Sequence, residues 1–574
     1  MKKHQLVKTL ISSALILPAV VSIQAPSTEA ATTTQIASAV QKAISNSQIL
    51  RRATSIEWNG DGKTRPYTEY NNTKAAYYYA EKLVKAMPSS NTKVVYQAKL
   101  GEVKTQIDRA VAYIDAITAG EKIVVKKNAL QSQVNKGLLT AETESLYHSL
   151  SFEIGKQAKL LDRVYGVTTR EYIRQYYKQT SERLRDDLSY PVTAKMALDQ
   201  IETSKSNEEI LRESKKVLMF LQVVPQKSFK EQLTVRWKSL EGKVPSTIQD
   251  AEYKNLLSVY NNMAELEKTI KPGVSSPKVP LLFEETKNGI AQVGHELAKR
   301  KLDETLTNVM NNLYLSVSEI KTLLTKKAAE KGIPPEIVKS IALTENGNFQ
   351  QFLPNGEVFE SFDNGYGIMQ VTPLSEHDTR YDWEKVKYDL GYNIETGVNI
   401  LLEKWGYSGS RRLPVVNDGN KETLENWYFA IIAYNGLSKR NDPITSSKAT
   451  YQEKVYANLS SMKPEIISED QLKISYNPAT GQMLFNDKML YVTTKKTKSA
   501  QLYKVGDTLS LPSAVNLRKV PTTVNNTPIK QLEKGTAITI IDQPTEDSNK
   551  FNIFTWYKVK VNSTGETGYV ASLW

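Results

Sequence analysis

The sequence predicts a multidomain protein that is mainly α-helical and ends in a small all-β barrel. The chain has 574 residues, several times the size of a typical domain. Hydrophobic residues make up 40% of it and charged residues 24%, a composition that can bury more than one core. Apolar side chains recur at helical spacing through most of the chain, whereas short β-rich runs separated by turns follow about residue 465.

The N-terminus has the pattern of a secretory signal peptide over residues 1–30. Three lysines precede an apolar run from Leu10 to Ile23, and small residues follow up to Ala30. A membrane anchor is the alternative, but the run is short for a span, and no later segment is apolar enough to cross a membrane. We therefore expect an exported protein that is held non-covalently at the cell wall or cell surface.

The composition excludes several classes of enzyme. The chain has no cysteine, which rules out disulfides, thiol nucleophiles and thiolate metal sites. Its four histidines form no HExxH pattern, which disfavours a zinc hydrolase. A Ser-His-Asp hydrolase is also disfavoured, because so few histidines are available. We expect an enzyme of this composition to work with carboxylates, without a metal or cofactor. An exported chain without cysteine also favours a Gram-positive bacterium.

Residues 31–265 form a predicted helical domain with a strong positive charge. Residues 31–250 contain 34 Lys and Arg against 24 Asp and Glu, which accounts for most of the net charge of +13. The apolar spacing predicts antiparallel helical hairpins, in which Gly166 ends one helix and Pro191 begins another. Charge alone leaves two interpretations open, capture of an anionic polymer and an ordinary solvated spacer. Nucleic acid is not an expected partner of an exported protein.

Part of this domain resembles a known family. The segments Leu146–Glu153, Leu161–Gly166, Thr169–Glu171 and Leu184–Asp186 are similar to the N-terminal domain of bacillar surface-layer proteins. The resemblance implies a rod of helical hairpins that binds an anionic secondary cell-wall polymer. It assigns no single binding residue, but guanidinium groups suit phosphate and carboxylate. The candidates are therefore Arg163, Arg170, Arg174, Arg183 and Arg185.

The helix that ends at Glu345 is the most informative element. It follows a predicted linker, rich in Pro and Gly, over residues 266–282. Ile337, Ile341 and Glu345 are spaced by four, so a carboxylate lies in line with an apolar stripe at the helix end. Burial there would raise its pKa and keep it protonated near neutral pH, as a general acid requires. The alternative is that Glu345 turns outward at a fraying helix end.

Three motifs in this order resemble the lytic transglycosylase family with the goose-lysozyme-like fold. They are Glu345 closing a helix, Ser361 ahead of the turn Gly367–Gln370, and Ala433–Asn435. The resemblance covers roughly residues 316–455 and implies an α-rich, lysozyme-like catalytic domain over residues 283–460.

The family's chemistry implies cleavage of the β-1,4 bond between N-acetylmuramic acid and N-acetylglucosamine in peptidoglycan, with Glu345 as acid and then as base. Attack by the sugar's own 6-hydroxyl gives a 1,6-anhydro product, whereas attack by water makes the enzyme a muramidase. A second carboxylate would favour hydrolysis, and Asp363, Asp378 and Asp382 are near in sequence. The residues expected to bind or position the substrate are Ser361, Gly367, Met369, Gln370, Tyr434 and Asn435.

The C-terminal segment has the pattern of a small barrel over residues 508–574. Its strands resemble the bacterial SH3-like domain, which implies binding to the cell wall. Trp556 and Tyr569 are expected in its core. Residues 461–507 are a predicted connector without assigned structure. The predicted strands are Val515–Arg518, Gly535–Ile541, Trp556–Lys560 and Gly568–Val570.

Two functional hypotheses follow. The first is a secreted peptidoglycan lytic transglycosylase or muramidase that is anchored non-covalently, with peptidoglycan glycan strands and an anionic secondary cell-wall polymer as partners. The second is a non-catalytic wall-binding or surface-layer-associated protein. It is motivated by Asn346, which stands where the lytic family usually has another residue, and by the large share of the chain predicted to serve as an anchor. Asn364–Gly365 is a second departure from the family pattern.

Overall fold

The computed structural model of the protein describes residues 31–574, so the predicted signal peptide lies outside the described residues. The described part is mainly helical and ends in a β-rich segment, which confirms the predicted fold class. The chain divides into two compact units, Met1–Val192 and Thr193–Trp574, and each is described by itself. The finer domain boundaries drawn from the sequence stay predictions.

Helices build the first unit. They are α1 (Thr33–Ala53), α2 (Tyr67–Lys85), α3 (Asn91–Asn135), α4 (Ala141–Asp162), α5 (Val167–Ile173) and the part of α6 (Thr180–Thr203) up to Val192, with a π-helical segment at Arg174–Gln179 between the last two. α1 and α2 pack on α3 around Val40, Ala80 and Val103, and α4 packs along α3 as a hairpin. At 1.5 Å per residue, α3 is about 68 Å long, so it is the axis of the unit.

Two details of the helical prediction are wrong. α4 already ends at Asp162, and Gly166, with a φ of 85°, is the residue before α5 rather than the end of α4. Pro191 lies inside α6 instead of starting a helix. A proline in a helix interior costs about 3 kcal/mol. Here Leu188 and Val192 beside it are buried, so packing of the continuous helix outweighs that cost.

The second unit begins with five helices. They are α7 (Asn207–Leu221), α8 (Lys227–Leu240), α9 (Ala251–Thr269), α10 (Lys278–Ala291) and α11 (Glu296–Asn311). α9 packs against α7, α10 and α11. The predicted linker 266–282 runs from the end of α9 into α10 through a turn. Backbone hydrogen bonds from Gly273 to Leu313 (2.9 Å) and from Ser275 to Tyr388 (2.7 Å) hold this turn against the rest of the unit.

Six further helices surround one apolar core. They are α12 (Val317–Glu330), α13 (Pro335–Glu345), α14 (Trp383–Tyr388), α15 (Leu390–Gly406), α16 (Tyr428–Asn435) and α17 (Tyr451–Asn458). Most residues of α13 are buried, and Ile337, Val338 and Ile341 are fully so. α13 is therefore the central helix of this core, although it also carries the buried polar side chains Glu336 and Lys339.

The segment predicted as a connector, residues 461–507, folds onto the same core. Its strands β2 (Ser475–Tyr476) and β3 (Met483–Leu484) pair with each other, and β4 (Leu490–Tyr491) pairs in parallel with β1 (Val415–Val416). Met483, Phe485 and Tyr491 are buried among the central helices. The strands are only two residues long, which is why no periodic pattern marks them in the sequence.

The C-terminal barrel has seven short strands. They are β5 (Thr508–Ser510), β6 (Val515–Leu517), β7 (Lys530–Leu532), β8 (Ala537–Ile540), β9 (Thr545–Glu546), β10 (Thr555–Val561) and β11 (Thr567–Ala571). The main sheet has the order β11-β10-β8-β5 with β9 on β10, and β6 pairs with β7. Both aromatic residues expected in the core of the barrel depart from that prediction. Trp556 is fully buried but does not belong to the barrel's core cluster, which contains its neighbour Tyr557, because successive side chains of β10 point to opposite faces. Tyr569 is only partly buried.

A buried ion pair joins this barrel to the central helices. Lys339 of α13 has no exposed surface, and its Nζ lies 2.8 Å from a carboxylate oxygen of Glu546 in β9. The ammonium also donates to Thr555 (3.0 Å), and Glu546 accepts from Thr325 of α12 (2.7 Å). Buried charges are tolerated only when they are paired and hydrogen-bonded. The barrel and α13 are therefore parts of one packed body.

Two more buried charges strengthen this attachment. Glu336 of α13 is fully buried and accepts hydrogen bonds from the Ser499 hydroxyl (2.8 Å) and the Ala500 backbone (2.9 Å). Lys321 of α12 donates to the backbone carbonyls of Asn549 and Asn552, and burial lowers its pKa to about 8. Each partner comes from the last 80 residues of the chain, so the C-terminal segment completes the environment of α12 and α13.

The substitution Lys339→Met tests this arrangement. It leaves the Glu546 carboxylate buried without its counter-charge, so we expect the unit to lose about 3–5 kcal/mol of unfolding free energy. The measurement is urea unfolding followed by tryptophan fluorescence. The double variant Lys339→Met/Glu546→Gln, which removes both charges, should recover part of the loss.

Lys327→Met is the matched control for that experiment. Lys327 pairs with Glu395 at 2.7 Å, but both side chains are partly exposed. A surface pair contributes at most about 1 kcal/mol. Equal losses in the two lysine variants would contradict the buried attachment.

Candidate active site

Glu345 is the last residue of α13 and lines a pocket of about 500 Å³. Pro334 and Pro335 begin the helix, and Ile337 and Ile341 fix its orientation by complete burial. The carboxyl group of Glu345 is mostly enclosed by protein but opens into the pocket. The alternative expectation, that Glu345 turns outward at a fraying helix end, is therefore wrong.

Burial raises the pKa of Glu345 to about 7. The Tyr451 hydroxyl donates a hydrogen bond to Oε1 (2.6 Å) and lowers the pKa, whereas the negative charge of Asp363 raises it. Arg440 and a hydrogen bond from Asn435 lower it further. The raised pKa expected from the sequence is thus present, and Glu345 holds a proton in a large fraction of molecules near neutral pH.

Tyr451 is a residue of the candidate site that the sequence motifs did not reveal. It is the first residue of α17, and the Thr450 hydroxyl and Glu453 carboxylate cap that helix. Burial raises the pKa of Tyr451 well above 10, so its hydroxyl keeps its proton and can donate it to the Glu345 carboxylate. The capping pattern at Thr450 was a visible sequence signal for the helix start, but nothing in it indicates contact with a residue 106 positions earlier.

The Ser361–Gly365 turn forms one side of the pocket. The Ser361 hydroxyl donates to Asp363 (2.6 Å) and accepts from the Gly365 backbone (3.0 Å), and Asn364 adopts a φ of 60°. A Cβ at Gly365 would lie 2.8 Å from the Gln370 side-chain oxygen, so glycine is required for this close approach. Phe362 projects from the turn and is 97% exposed at the rim.

The predicted substrate residues separate into two groups. Ser361, Gln370 and Asn435 line the pocket together with Glu345. The other three lie behind its wall and are Gly367, Met369 and Tyr434.

Buried contacts explain the second group. Met369 is fully buried, and the Tyr434 hydroxyl donates to its backbone carbonyl (2.9 Å). A Cβ at Gly367 would lie 2.2 Å from the side-chain oxygen of Gln351 and 2.7 Å from the side-chain nitrogen of Asn393. Both amides are buried and hydrogen-bond the turn around Met369. Gly367 thus provides room for two structural amides.

Asn346, which follows the acid, organises the next loop. Its side-chain nitrogen donates to the Gln350 carbonyl (2.6 Å), and its oxygen accepts from the Gln350 backbone (3.2 Å). The residue is buried. This departure from the lytic family pattern therefore holds the loop after Glu345, and does not turn the acid away from the pocket.

Only one of the three neighbouring carboxylates lies in the pocket. Asp363 lines it, whereas Asp378 is engaged by Arg380 (2.6 Å), whose hydrogen bonds hold its pKa well below the usual range. Asp382 caps α14 through the Lys385 backbone (3.2 Å). Among residues 31–574, no group of three or more His, Asp and Glu side chains could hold a metal ion.

In the first unit, several predicted arginines are engaged in local pairs. Arg174 contacts Asp162 (2.7 Å), and Arg185 contacts Asp186 (2.7 Å). Arg170 donates to the Val164 carbonyl (3.2 Å).

A different set of side chains encloses a small cavity of about 80 Å³ in this unit. The aromatic–arginine pocket, as we call it, is defined by Arg51, Trp58, Arg109 and Tyr165. The Arg109 guanidinium lies 3.3 Å from the centre of the Tyr165 ring. Both aromatic side chains are more than half exposed.

Known proteins resemble both ends of the chain. A family model described as SbsC C-terminal domain matches residues 51–182, and one described as Bacterial SH3 domain matches residues 513–574. An S-layer protein of Geobacillus stearothermophilus is 29% identical over 213 residues, which are 35% of this chain and 17% of that protein.

Solved structures show the same similarity. The structure of surface layer protein SbsC, domains 1–6, is 25% identical and covers 38% of this chain and 32% of its own, with a TM-score of 0.32. The crystal structure of the N-terminal part of the bacterial S-layer protein SbsC is 24% identical. The match covers 37% of this chain and 55% of that one, with a TM-score of 0.32.

These matches show similarity to surface-layer sequences over residues 51–182 and to bacterial SH3 domains over residues 513–574, and they confirm the predicted location at the cell surface of a Gram-positive bacterium. They extend the predicted surface-layer resemblance towards the N-terminus, to residue 51. In the sequence, the residues of the Glu345 pocket lie between the two matched regions. No helix within residues 31–574 is both long and apolar enough for a transmembrane span.

The raised pKa of Glu345 has a consequence for stability that needs no substrate. An unfolded glutamate ionises near pH 4.5, but the folded one does so near 7. The contribution of Glu345 to the free energy of unfolding should therefore fall as the pH rises from 4.5 to 7 and stay constant above pH 7. Glu345→Gln removes this loss, so its unfolding free energy relative to wild type should grow by up to about 3 kcal/mol between pH 4 and pH 8.

Urea unfolding at the two pH values measures this difference. Glu376→Gln changes a residue on an exposed loop and is the control. Its unfolding free energy should differ from that of wild type by the same amount at the two pH values. A Glu345→Gln effect that does not change with pH would mean that the carboxyl group is not buried in the folded protein.

Proposed function

We propose that this chain is a secreted, wall-associated enzyme that cleaves the β-1,4 bond between N-acetylmuramic acid and N-acetylglucosamine in peptidoglycan. The observation that carries the proposal is Glu345, a carboxylic acid with a pKa of about 7 at the edge of an open pocket. A general acid is most effective when its pKa lies near the working pH. The three motifs of the lytic transglycosylase family supply the reaction class.

Glu345 would donate its proton to the glycosidic oxygen as the sugar gains oxocarbenium character. Tyr451 and Asn435 hold the carboxyl group in place during this step, because both hydrogen-bond to it. The resulting carboxylate would then act as the base. If it activates the 6-hydroxyl of the same sugar, the product is a 1,6-anhydro ring, and if it activates water, the product has a reducing end.

Asp363 supports the hydrolytic outcome. It is the second carboxylate of the pocket, and the Ser361 hydroxyl orients it. Glycosidases that use water have two carboxyl groups flanking the bond. The lytic motifs support the anhydro outcome, so the products distinguish the two.

Anchoring to the wall is the second part of the proposal. Similarity to surface-layer sequences over residues 51–182 supports binding of the helical unit to an anionic cell-wall polymer, and the SH3 match supports wall binding by the barrel. The aromatic–arginine pocket has the chemistry for such a ligand. Aromatic faces stack on sugar rings, and guanidinium groups pair with phosphate or carboxylate.

A non-catalytic wall-binding or surface-layer-associated protein is the competing function. The observation in its favour is that both family matches, residues 51–182 and 513–574, lie outside the Glu345 pocket. In that case the pocket would bind glycan without breaking it.

Digestion of purified peptidoglycan by the mature chain tests the activity. We expect mass spectrometry to show new anhydro or reducing muramyl ends. Glu345→Gln should lower their rate of formation about 10²- to 10⁴-fold, because it removes the proton donor. Glu376→Gln should retain wild-type activity. If wild type binds peptidoglycan but yields no new ends, the non-catalytic function is correct.

Co-sedimentation with cell walls tests the anchor. Trp58→Ala and Arg109→Ala should each weaken binding several-fold to walls that retain their anionic polymer, and should have no effect on walls from which it has been extracted. Phe152→Ala is the matched control, because Phe152 is an exposed aromatic next to Lys156 but outside the pocket. Equal effects of all three variants would argue against this site.

A further inference from the structure

Three cations line one part of the Glu345 pocket. Arg440 follows the end of α16, Lys448 lies in the loop before α17, and Lys454 lies in α17. All three side chains are exposed. We call them the cationic wall. Arg440 also lowers the pKa of Glu345, but the proposed acid–base chemistry uses neither Lys448 nor Lys454, so the presence of these two lysines requires a separate explanation.

The cationic wall is not neutralised by the protein. Arg440 donates to the backbone carbonyl of Asn435 (3.2 Å), but within the part of the chain that the structure describes no carboxylate forms an ion pair with any of the three. Other cations of the same unit do pair, as Arg380 does with Asp378 and Lys404 with Glu403. Three unpaired positive charges beside one pocket favour an anionic ligand.

Buried polar residues hold the backbone that follows Arg440. The Asn441 amide donates to the Gly436 carbonyl (2.8 Å) and to the Asn435 side chain (3.1 Å). Asp442 accepts from the Ile444 backbone (2.8 Å) and from the Tyr476 hydroxyl. Asn441 and Asp442 are both almost completely buried. These contacts tie the backbone beside Arg440 to the wall of the pocket, while the three cationic side chains stay exposed to a ligand.

The charges of the pocket are also unevenly distributed. The Ser361–Gly365 turn contributes Asp363, whereas the segment 440–454 contributes the three cations. An anionic group on a ligand is attracted to the segment 440–454 and repelled by the Ser361–Gly365 turn. A strand that carries such a group at regular positions would thus enter the pocket in one preferred orientation.

We propose that the cationic wall binds a carboxylate of the glycan strand, so that the pocket selects muramic-acid-containing glycan over uncharged chitin-type glycan. This inference rests on the proposed function, since it concerns the substrate of that site. Of the two sugars in peptidoglycan, only muramic acid has a lactyl group, which ends in a free carboxylate where no peptide is attached. Where a stem peptide is joined to it by an amide bond, the carboxylates of the peptide take its place. The shared chemistry is a carboxylate on the muramyl side of the bond.

Binding measurements on the mature chain with Glu345→Gln test this inference without consuming the ligand. Four probes are compared by calorimetry: chitotetraose, a peptide-free tetrasaccharide of alternating GlcNAc and MurNAc, the same tetrasaccharide with stem peptides, and the last with its carboxylates amidated. We expect a carboxylate-bearing probe to bind about tenfold more tightly than chitotetraose, and amidation to remove the gain. Added salt should reduce the gain.

Substitutions locate the effect. When Lys448→Ala and Lys454→Ala are added to the Glu345→Gln chain, the affinity for the carboxylate-bearing probe should exceed that for chitotetraose by less than twofold. The control pair is Lys326→Ala and Lys439→Ala, which removes two exposed lysines outside the pocket and should keep the preference. A preference that is present without peptide assigns the lactyl group, and one that appears only with peptide assigns the stem.

The outcomes separate this inference from the proposed function. If wild type cleaves peptidoglycan but the probes bind equally, or the control pair removes the preference as much as the wall variants do, the cationic wall is not the recognition site and the enzymatic proposal stands. If the wall-dependent preference is found but wild type makes no new ends, the binding inference stands and the enzymatic proposal fails.

Discussion

Pairing of the buried ionisable side chains on α13 is the constraint on which the rest of the second unit depends. Glu336 in the first turn and Lys339 in the middle of the helix are fully buried; Lys339 forms an ion pair with Glu546, and Glu336 accepts hydrogen bonds from Ser499 and Ala500. Removing one member of such a pair leaves an uncompensated charge in the interior. Glu345 follows Lys339 by six residues, or about 9 Å along the helix. The position of the proposed acid is thus set by contacts made more than 150 residues later.

Opposing influences tune Glu345 to its proposed task. Burial and the charge of Asp363 favour the protonated form, while the Tyr451 hydroxyl and Arg440 favour the ionised form. An acid that was only buried would hold its proton too tightly to release it to a sugar, and a solvated one would have lost it at neutral pH. The balance at about 7 lets the same group give the proton and take one back.

The sequence revealed what depends on local spacing. Ile337, Ile341 and Glu345 share a helix face whatever the rest of the chain does, so the buried acid was predictable, as was the β-rich end. Contacts between distant segments were not. Tyr451 reaches Glu345 from 106 residues away, and Gly367 was expected to bind or position the substrate, although its place beside two buried amides explains the glycine. Pro191 was taken for a helix start, because a local rule cannot include the packing that keeps α6 continuous.

The attachment of the barrel has an evolutionary consequence. Small wall-binding barrels are usually regarded as cassettes that recombination can move between enzymes. Here an incoming barrel would have to supply a carboxylate at the position of Glu546 and carbonyl groups for Lys321, or the host helices would contain unsatisfied charges. Gene fusion at this junction is therefore restricted to barrels that already possess both features, and the barrel and its host helices are expected to be inherited together.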